Sequence, residues 1–471
     1  MKNMTLWNIV RACHGRFVIP AKRKEDMECP KAGMAVIRSA SGLEAKGVVL
    51  DSRLVKPGFV FVATVGEKAD GHDFIPSAFE KGAIGVICEK EPKPLPGPCI
   101  VVKDSFQALR DIAEFYRQQM PVLVVGITGS VGKTSTKEFI AAVLSQKYKT
   151  HKTQGNHNNE VGVPLTLLAM PEDTEAAVVE MGINHFGEMH RLSRMAKPDI
   201  CVMTNIGQCH LEFLGSRDGI LRAKSEIFDF MNPEGCVCVN GDDDKLATVT
   251  NVHGKKPVRF GFAKENDIYA DEIEGKGLFG STAVIHVGEK SFPVSVPLPG
   301  SHMIMNALAA TAVGQQMGLT TGQIAAGIEA VQAVNGRSRV VQAGELVLID
   351  DCYNANPIST RAAIDLLGLA PGRKVAVLGD MFELGDREKE LHGEVGRYAA
   401  EHGVDCLLCA GELSESMCRS AREAGLAQAH HFATRDALLA AIRDFLQPGD
   451  SVLIKASHGM GFEKIVQALE G

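Results

Sequence analysis

Short apolar runs recur along the chain, separated by stretches in which apolar residues are spaced three or four positions apart. The runs predict an early group of strands at 47–50, 59–63, 85–87 and 100–102. The apolar run that begins at 122 predicts the first strand of a middle group. Further strands of this group are predicted at 176–179, 200–204 and 237–240. A late group is predicted at 346–350, 374–378, 406–410 and 451–455. Because strands alternate with helical stretches, we expect α/β units with mostly parallel sheets and helices on both faces.

Other stretches refine this picture. Residues 258–297 alternate apolar and polar positions between turn residues, which is typical of a small antiparallel patch. Helical spacing is clear at 105–119 and from about 303 to 317. We therefore expect three α/β domains, which are a small N-terminal domain at 1–104, a central domain at 105–336 and a C-terminal Rossmann-like domain at 337–471.

The most informative stretch follows the apolar run that begins at 122. The chain continues as Thr128-Gly129-Ser130-Val131-Gly132-Lys133-Thr134-Ser135 and then shows helical spacing. A strand, a glycine loop, Gly-Lys-Thr and a helix form the phosphate-binding arrangement, in which loop N–H groups and the helix N-terminus face an anion. Lys133 is expected to reach the β- and γ-phosphates, and the Thr134 hydroxyl to hold Mg²⁺. Ile127 stands where the general motif has glycine, so this loop is a shorter variant.

Polar side chains that follow neighbouring strands extend this prediction. Glu180 comes directly after the run at 176–179, where it is either a ligand for Mg²⁺ or a solvated strand end. His210 follows the next run, and parallel strands would bring both side chains to the sheet edge that carries Lys133. From its spacing alone, Lys224 is predicted to lie on the surface of a helix. The amide-rich loop at 153–160 suits a sugar or a peptide backbone as ligand, or is an ordinary Asn-rich turn.

Composition narrows the class of protein. The chain has 471 residues, a formal net charge of −7 and no long basic run, so nucleic acid is not an expected partner. The twelve cysteines are scattered along the chain and are interpreted as reduced thiols. The Cys406–Cys409 pair is interpreted as part of a buried strand rather than as a metal site. No apolar run approaches the roughly 20 residues that span a bilayer, and no signal-peptide core opens the chain. We expect a cytoplasmic protein that does not insert into membranes.

Taken together, these segments resemble the Mur ligases, which are ATP-dependent amide-forming enzymes of bacterial cell-wall synthesis. The resemblance covers nearly the whole chain and includes the short Thr-Gly-x-x-Gly-Lys-Thr loop. Further matching segments are 153–159, Glu180-Met181-Gly182, Asn184-His185, His210-Leu211-Glu212, Ala223-Lys224, His302, Asn306 to Ala310 and Gly336-Arg337. The segments Asp350-Asp351-Cys352-Tyr353-Asn354-Ala355-Asn356 and Gly379-Asp380-Met381 look like the branch of the family that adds D-alanyl-D-alanine.

The resemblance implies roles for particular residues. The N-terminal domain would bind the UDP end of the substrate, the central domain ATP, and the C-terminal domain would complete the ligase. The implied catalytic residues are Lys133, Lys224, His210 and Glu180. The implied metal ligands for two Mg²⁺ ions are Thr134, Glu180, His210 and Lys224 as an N-carbamate. The implied ATP contacts are Gly129, Ser130, Val131, Gly132, Lys133, Thr134, Ser135, Asn306, Arg337 and Asp350. The implied substrate contacts are Ser52, Arg53, Thr153, Asn156, Asn158, Asn159, His185, Tyr353, Asn354 and Asn356.

The activity implied by the resemblance is the joining of D-alanyl-D-alanine to the carboxylate of UDP-N-acetylmuramoyl-tripeptide through an acyl phosphate, by a monomeric ligase. A related Mur-type or folylpolyglutamate-type ligase is the nearest alternative. A regulatory GTPase would need an Asn-Lys-x-Asp motif, which the sequence lacks. A binding module without activity is disfavoured by the presence of Lys133, Glu180, His210 and Lys224 together.

Overall fold

The computed structural model describes residues 1–20, 40–66 and 69–470, so part of the predicted N-terminal domain lies outside the described residues. The first sheet has the strand order β1-β5-β4-β3-β2, and its strands are parallel except for β1, which pairs antiparallel with β5. Its strands are β1 Arg16–Val18, β2 Gly47–Val49, β3 Phe59–Val62, β4 Gly85–Cys88 and β5 Cys99–Val101. The described residues of this region also form helices α1 Leu6–Ala12 and α2 Ile75–Glu80.

Helix α3, Ser105–Gln118, joins the first sheet to the second. It begins after Asp104, whose carboxylate accepts the Gln107 N–H at 2.9 Å. Its apolar face, which includes Ile112 and Tyr116, lies in one continuous core with residues of both sheets. The Tyr116 hydroxyl donates to the carbonyl of Met170 at 2.8 Å. The N-terminal sheet is therefore packed onto the central one through shared apolar burial.

The second sheet has nine strands in the order β14-β13-β12-β11-β10-β9-β6-β8-β7. The strands are β6 Leu123–Thr128, β7 Thr150–Lys152, β8 Ala176–Glu180, β9 Ile200–Met203, β10 Cys236–Asn240, β11 Val258–Gly261, β12 Ile268–Gly275, β13 Ser281–Val287 and β14 Lys290–Val296. The helices are α4 Lys133–Leu144, α5 Gly162–Leu168, α6 Glu188–Ala196, α7 Leu211–Leu214, α8 Arg217–Ser225, α9 Ser301–Gln316 and α10 Thr321–Glu329. Successive residues of β6 point into different cores, since Val124 belongs to one and Val125 to the other.

The predicted antiparallel patch at 258–297 is correct from β12 onward, over residues 268–296. Strand β11 pairs parallel with β10 and with β12, so it extends the parallel part of the sheet. Only β12, β13 and β14 pair antiparallel, and they continue the same sheet. The alternating pattern correctly predicts strands, but alternation alone does not distinguish a parallel from an antiparallel neighbour.

The third sheet has the order β15-β16-β20-β17-β18-β19 and is parallel except for the pair β15 and β16. Its strands are β15 Arg339–Ala343, β16 Leu346–Asp350, β17 Lys374–Gly379, β18 Cys406–Ala410, β19 Ala429–Phe432 and β20 Ser451–Lys455. Its helices are α11 Pro357–Gly368, α12 Glu388–Glu401, α13 Ser414–Glu423, α14 Arg435–Ala441 and α15 Glu463–Glu470. Separate cores lie on its two faces, as expected for a sheet covered by helices on both sides.

The Cys406–Cys409 pair lies in β18, and both side chains are fully buried. Cys406 belongs to the core on one face of the sheet and Cys409 to the core on the other. Because the two side chains point in opposite directions, they cannot ligate one metal ion, and the buried-strand interpretation is confirmed. Within residues 1–20, 40–66 and 69–470, no helix combines the length and the apolar character needed to cross a membrane.

Candidate active site

A cavity of about 730 Å³ lies between the central and the C-terminal domain. It opens at the carboxyl ends of β6, β8 and β9, which is where parallel sheets bind their ligands. The structure brings many of the predicted site residues to its wall, which are Ser130, Val131, Gly132, Lys133, Thr134, Ser135, Asn158, Asn159, Glu180, His210, Asn306, Arg337, Tyr353, Asn354 and Asn356. Lys133, Glu180 and His210 thus share one side of the sheet, as the sequence predicted.

The phosphate loop lies between β6 and α4 and depends on two glycines. Gly129 has φ +151° and Gly132 has φ +84°, so both adopt backbone conformations that favour glycine. A Cβ on Gly129 would stand 2.0 Å from the Thr204 hydroxyl oxygen. The Lys133 ammonium folds back and donates to the Gly129 carbonyl at 2.8 Å. Burial lowers the pKa of Lys133, while the nearby Glu180 carboxylate acts in the opposite direction.

The loop is held in shape by a segment that sequence reasoning missed. The Ser130 N–H donates to the Asn205 carbonyl at 3.0 Å, and the Val131 N–H donates to the Asn205 side-chain oxygen at 2.9 Å. The Val131 carbonyl accepts from Asn205 Nδ2 at 3.0 Å and from the Thr204 hydroxyl at 2.6 Å. The sequence signal for this support was the position of Thr204 and Asn205, which directly follow β9, the strand beside β6.

Glu180 ends β8 and is 1% exposed. Its Oε1 accepts from the Thr134 hydroxyl at 3.1 Å and from Asn158 Nδ2 at 2.7 Å. Its Oε2 has no hydrogen-bond partner among the described residues, and the nearest cation is the Lys137 ammonium at 3.9 Å. A buried carboxylate oxygen without a partner, beside a hydroxyl and a phosphate-type loop, fits a hard divalent cation such as Mg²⁺.

Lys224 is fully buried in α8, contrary to the surface position that its spacing suggested. The helix begins after Ser216, whose hydroxyl accepts the Gly219 N–H at 3.1 Å. The Lys224 ammonium has no hydrogen-bond partner in the described part of the chain. Burial, aided by the charge of Lys133, lowers the pKa of Lys224 to about 8. A buried ammonium without a partner is costly, so this side chain is a candidate for chemical modification.

The C-terminal domain reaches across the cavity to the central domain at two polar contacts. The Arg337 guanidinium donates to the Thr134 hydroxyl at 3.1 Å and stacks on the Tyr353 ring at 3.8 Å from the ring centroid. His210 Nδ1 lies 2.5 Å from Glu383 Oε2, and this hydrogen bond lowers the pKa of Glu383. The two domains are therefore in contact at the phosphate loop and at the segment after β9.

Asn306 and Asp350 lie close to the cavity, but their side chains are already engaged. The Asn306 side-chain oxygen accepts from the Thr136 hydroxyl at 2.8 Å, which fixes α9 against α4. Asp350 does not line the cavity, because its Oδ2 accepts from the Gly336 N–H at 2.9 Å and from Arg339 Nε at 3.2 Å. The neighbouring Asp351 does line it and pairs with the buried Lys455 ammonium at 2.5 Å.

Several predicted residues stabilise loops or lie elsewhere. The Thr153 hydroxyl accepts the Glu180 N–H at 3.0 Å, and the Asn159 side chain accepts the Gly162 N–H at 2.9 Å. Asn356 caps α11 by accepting the Ser359 N–H at 2.9 Å. The predicted residues that do not line the cavity are Ser52, Arg53, Gly129, Thr153, Asn156, His185, Lys224 and Asp350. Arg53 is paired with Asp51 at 2.7 Å on an exposed part of the N-terminal domain.

Three family profiles match the chain in succession. Residues 44–125 match the profile described as the Mur ligase family, catalytic domain. Residues 127–314 match the Mur ligase middle domain, and residues 336–458 match the Mur ligase, glutamate ligase domain.

Individual proteins and structures agree with these profiles. A UDP-N-acetylmuramoyl-tripeptide--D-alanyl-D-alanine ligase of Bacillus subtilis is 37% identical over 432 residues, which cover 90% of this chain and 93% of that protein. A crystal structure of MurF from Acinetobacter baumannii covers 99% of this chain and 98% of its own, with 31% identity and a TM-score of 0.86. A MurF ligase from Thermotoga maritima, solved in complex with ADP, covers 90% of this chain and 97% of its own, with 29% identity and a TM-score of 0.79. On this evidence the chain belongs to the Mur ligase family of ATP-dependent ligases.

Proposed function

We propose that this chain joins D-alanyl-D-alanine to the carboxylate of UDP-N-acetylmuramoyl-tripeptide in peptidoglycan synthesis, at the cost of one ATP. The observation that carries the proposal is the cavity in which Lys133, Glu180 and His210 meet the C-terminal segment 351–356. The relative from Bacillus subtilis is named for this reaction. A phosphate loop facing a second domain suits a ligase, since one domain must hold the nucleotide and the other must present an acceptor.

An amine does not attack a carboxylate at useful rates, because the anion repels nucleophiles and oxide is a poor leaving group. Transfer of the γ-phosphoryl group to the carboxylate gives an acyl phosphate, from which the incoming amine displaces phosphate. Phosphoryl transfer depends on positioning and charge neutralisation rather than on covalent help from the protein. The loop N–H groups and the Lys133 ammonium would bind the phosphates, and Arg337 would approach them from the C-terminal domain.

The residues present fit Mg²⁺ on the evidence of the unpartnered Oε2 of Glu180. Thr134, Glu180 and His210 are the side chains that would hold it. When bound, Mg²⁺ supplies positive charge that offsets the phosphate and carboxylate charges during transfer. Glu180 keeps the Thr134 hydroxyl and the Asn158 amide in place, at 3.1 and 2.7 Å. The same carboxylate therefore orders both the nucleotide loop and the amide-rich loop.

We also infer that Lys224 is N-carbamylated in the active enzyme. Loss of a proton from the ammonium gives an amine whose nitrogen bonds to the carbon of carbon dioxide, and a second proton is released. The charge changes from +1 to −1, which replaces a buried, unpartnered cation with a carboxylate that can support a metal ion. Lys224→Ala should lose activity, and short carboxylic acids should restore part of it. Activity equal to the wild type in Lys224→Ala would refute the assignment.

The remaining substrate contacts are proposals of the same kind. Ser52 and Arg53 would bind the UDP end of the substrate on the N-terminal domain, and Asn306 would contact adenine. Tyr353 and Asn354, on the C-terminal wall of the cavity, would face the incoming dipeptide. We propose a monomer acting in the cytoplasm.

Phosphate release against a panel of acceptors tests the function. We expect release with ATP, UDP-N-acetylmuramoyl-tripeptide and D-alanyl-D-alanine together, and background release when either of the last two is omitted. Single amino acids, glutamate included, should not replace the dipeptide. Release with folate and glutamate instead would favour a folylpolyglutamate-type ligase, and release with a single amino acid on a shorter UDP-peptide would favour another Mur-type ligase.

A further inference from the structure

Part of the backbone strain in the described residues lies at the wall of the cavity. The non-glycine residues with positive φ are Asn3, His14, Lys197, His210, His253, Glu272, Ser338 and Glu383. His210, Ser338 and Glu383 line the cavity between the central and C-terminal domains. Positive φ in non-glycine residues persists only where surrounding contacts enforce it, and such residues concentrate at functional sites.

Two of these residues are hydrogen-bonded to each other across the domain gap. His210 has φ +53° and Glu383 has φ +62°, and His210 Nδ1 lies 2.5 Å from Glu383 Oε2. His210 follows β9 of the central sheet, whereas Glu383 follows β17 of the C-terminal sheet. The second ring nitrogen of His210, Nε2, makes no hydrogen bond within the described part of the chain. The imidazole is therefore held at one nitrogen and free at the other.

The segment that carries Glu383 also rests on the segment that carries His210. A Cβ added to Gly385 would lie 3.8 Å from the Cα of Glu212, which is ordinary van der Waals contact. A second place where the domains approach each other is Gly207 of the central domain, since a Cβ added there would lie 2.9 Å from Cδ1 of Ile358 in the C-terminal domain. The contact between His210 and Glu383 is thus part of a packed surface between the domains, and it depends on this arrangement of the two domains.

We propose that Glu383 is a positioning residue that prepares His210 for metal binding only when the C-terminal domain has closed. A metal-binding histidine commonly donates its other N–H to a carboxylate, which fixes the tautomer and the ring orientation. A bond from Nδ1–H to Glu383 leaves Nε2 with the lone pair that a cation needs. Because the carboxylate belongs to the other domain, the ligand is complete only after closure. The proposal rests on the proposed role of His210 in holding Mg²⁺.

The test uses the full-length enzyme and Mn²⁺ as a spectroscopic substitute for Mg²⁺. Mn²⁺ affinity is measured by electron paramagnetic resonance with a non-hydrolysable ATP analogue, in the presence and absence of the UDP-tripeptide. Loss of a carboxylate behind a metal-binding histidine typically costs about 10- to 100-fold in metal affinity or activity. Glu383→Ala should show a loss of this size in Mn²⁺ affinity in the ternary complex and in kcat, with KM for ATP within about twofold of the wild type.

Two further variants keep the result interpretable. Glu383→Gln retains an oxygen that can accept the Nδ1–H, so it should recover part of the loss. Glu390→Gln changes an exposed glutamate that pairs with Arg387 at 2.8 Å, and it should match the wild type in both measurements. Mn²⁺ affinity and kcat of Glu383→Ala within twofold of the wild type would overturn the proposal, as would equal losses in Glu383→Ala and Glu390→Gln.

His210→Ala separates this proposal from the assignment on which it rests. Weakened Mn²⁺ binding in His210→Ala together with unchanged binding in Glu383→Ala would overturn only the positioning role of Glu383. Unchanged Mn²⁺ binding in His210→Ala would overturn the metal role of His210 and the inference with it. Phosphate release by the wild-type enzyme with D-alanyl-D-alanine reports on the ligase function independently of either outcome.

Discussion

The unpartnered ammonium of Lys224 leads to an expectation about stability as well as activity. Lys224→Met removes the charge but keeps an unbranched apolar side chain of similar length in the same buried space. The variant cannot form a carbamate, so we expect ligase activity to be lost. In buffer free of carbon dioxide, however, the wild type must bury an ammonium that has no hydrogen-bond partner. We therefore expect the inactive variant to have the more stable central domain.

The size of the effect follows from the pKa of Lys224, which burial lowers from 10.5 to about 8. At about 1.4 kcal/mol for each pKa unit, the cost of keeping the ammonium charged in the folded state is about 3 kcal/mol. Because the folded-state pKa lies below the unfolded value, this cost is fully present below about pH 8 and fades as pH rises toward 10.5. Wild-type stability should therefore rise over that range, and the stability advantage of Lys224→Met should shrink.

A second buried lysine provides the matched control. The Lys137 ammonium donates to the Thr153 carbonyl at 2.8 Å and lies 3.2 Å from Glu138 and 3.9 Å from Glu180. Lys137→Met leaves the Thr153 carbonyl without this donor and Glu180 Oε2 without its neighbouring cation, whereas Glu138 keeps its ion pair with Lys152. Removing one partner of a buried pair typically costs about 3–5 kcal/mol. The same substitution at two buried lysines should thus change stability in opposite directions.

Hydrogen exchange of the backbone amides in α8 and β9, followed by mass spectrometry at pH 7, measures the opening free energy of the central domain directly. A whole-protein melting temperature would mix the three domains. We expect slower exchange in Lys224→Met and faster exchange in Lys137→Met. Exchange in Lys224→Met as fast as or faster than in the carbon dioxide-free wild type would refute the reasoning, because it would mean that the ammonium carries no net cost.

Three other expectations follow from the site. Asn205→Ala removes the side-chain bonds that hold Val131, at 2.9 and 3.0 Å, and should raise KM for ATP by about tenfold in steady-state kinetics, the equivalent of about 1.4 kcal/mol. Arg337→Gln removes the 3.1 Å hydrogen bond to Thr134 and the positive charge near the phosphates, so kcat should fall at least about tenfold. X-ray scattering with a nucleotide analogue should show a larger radius of gyration than that of the wild type. Chelation of divalent cations should abolish phosphate release, and added Mg²⁺ should restore it; release that persists in excess chelator would contradict the metal assignment.

Most of the sheet interiors could be predicted because buried parallel strands are continuous apolar runs. Strands with polar side chains could not be predicted in this way. β7 reads Thr-His-Lys and lies at the edge of the central sheet, and β19 reads Ala-His-His-Phe at the edge of the C-terminal sheet. An edge strand needs only one neighbour and can leave its side chains in water, so hydrophobic patterning does not mark it.

The phosphate loop was predictable because its chemistry is local, whereas its supports are remote in sequence. Asn205 lies 74 residues from Val131, and Glu383 lies 173 residues from His210. Only the folded sheet brings such pairs together. Lys224 was misplaced for a related reason, since helix periodicity shows which positions share a face but not how completely neighbouring elements cover it. The predicted roles of the site residues remain predictions, including those of Asn306, Asp350 and the N-terminal Ser52 and Arg53.

The contacts between domains explain how a ligase of this design could protect an acyl phosphate. The Arg337 guanidinium donates to the Thr134 hydroxyl, and the Glu383 carboxylate accepts a hydrogen bond from the His210 imidazole, so both central-domain groups are contacted from the C-terminal side. If nucleotide and acceptor each bind to a different domain, and His210 holds the metal as proposed, an open enzyme would lack both the Arg337 cation and a correctly oriented metal ligand. Phosphoryl transfer would then be fast only in a closed state that excludes water and already holds the amine. Coupling of this kind would make ATP hydrolysis slow in the absence of acceptor, because the same motion that excludes water also assembles the catalytic groups.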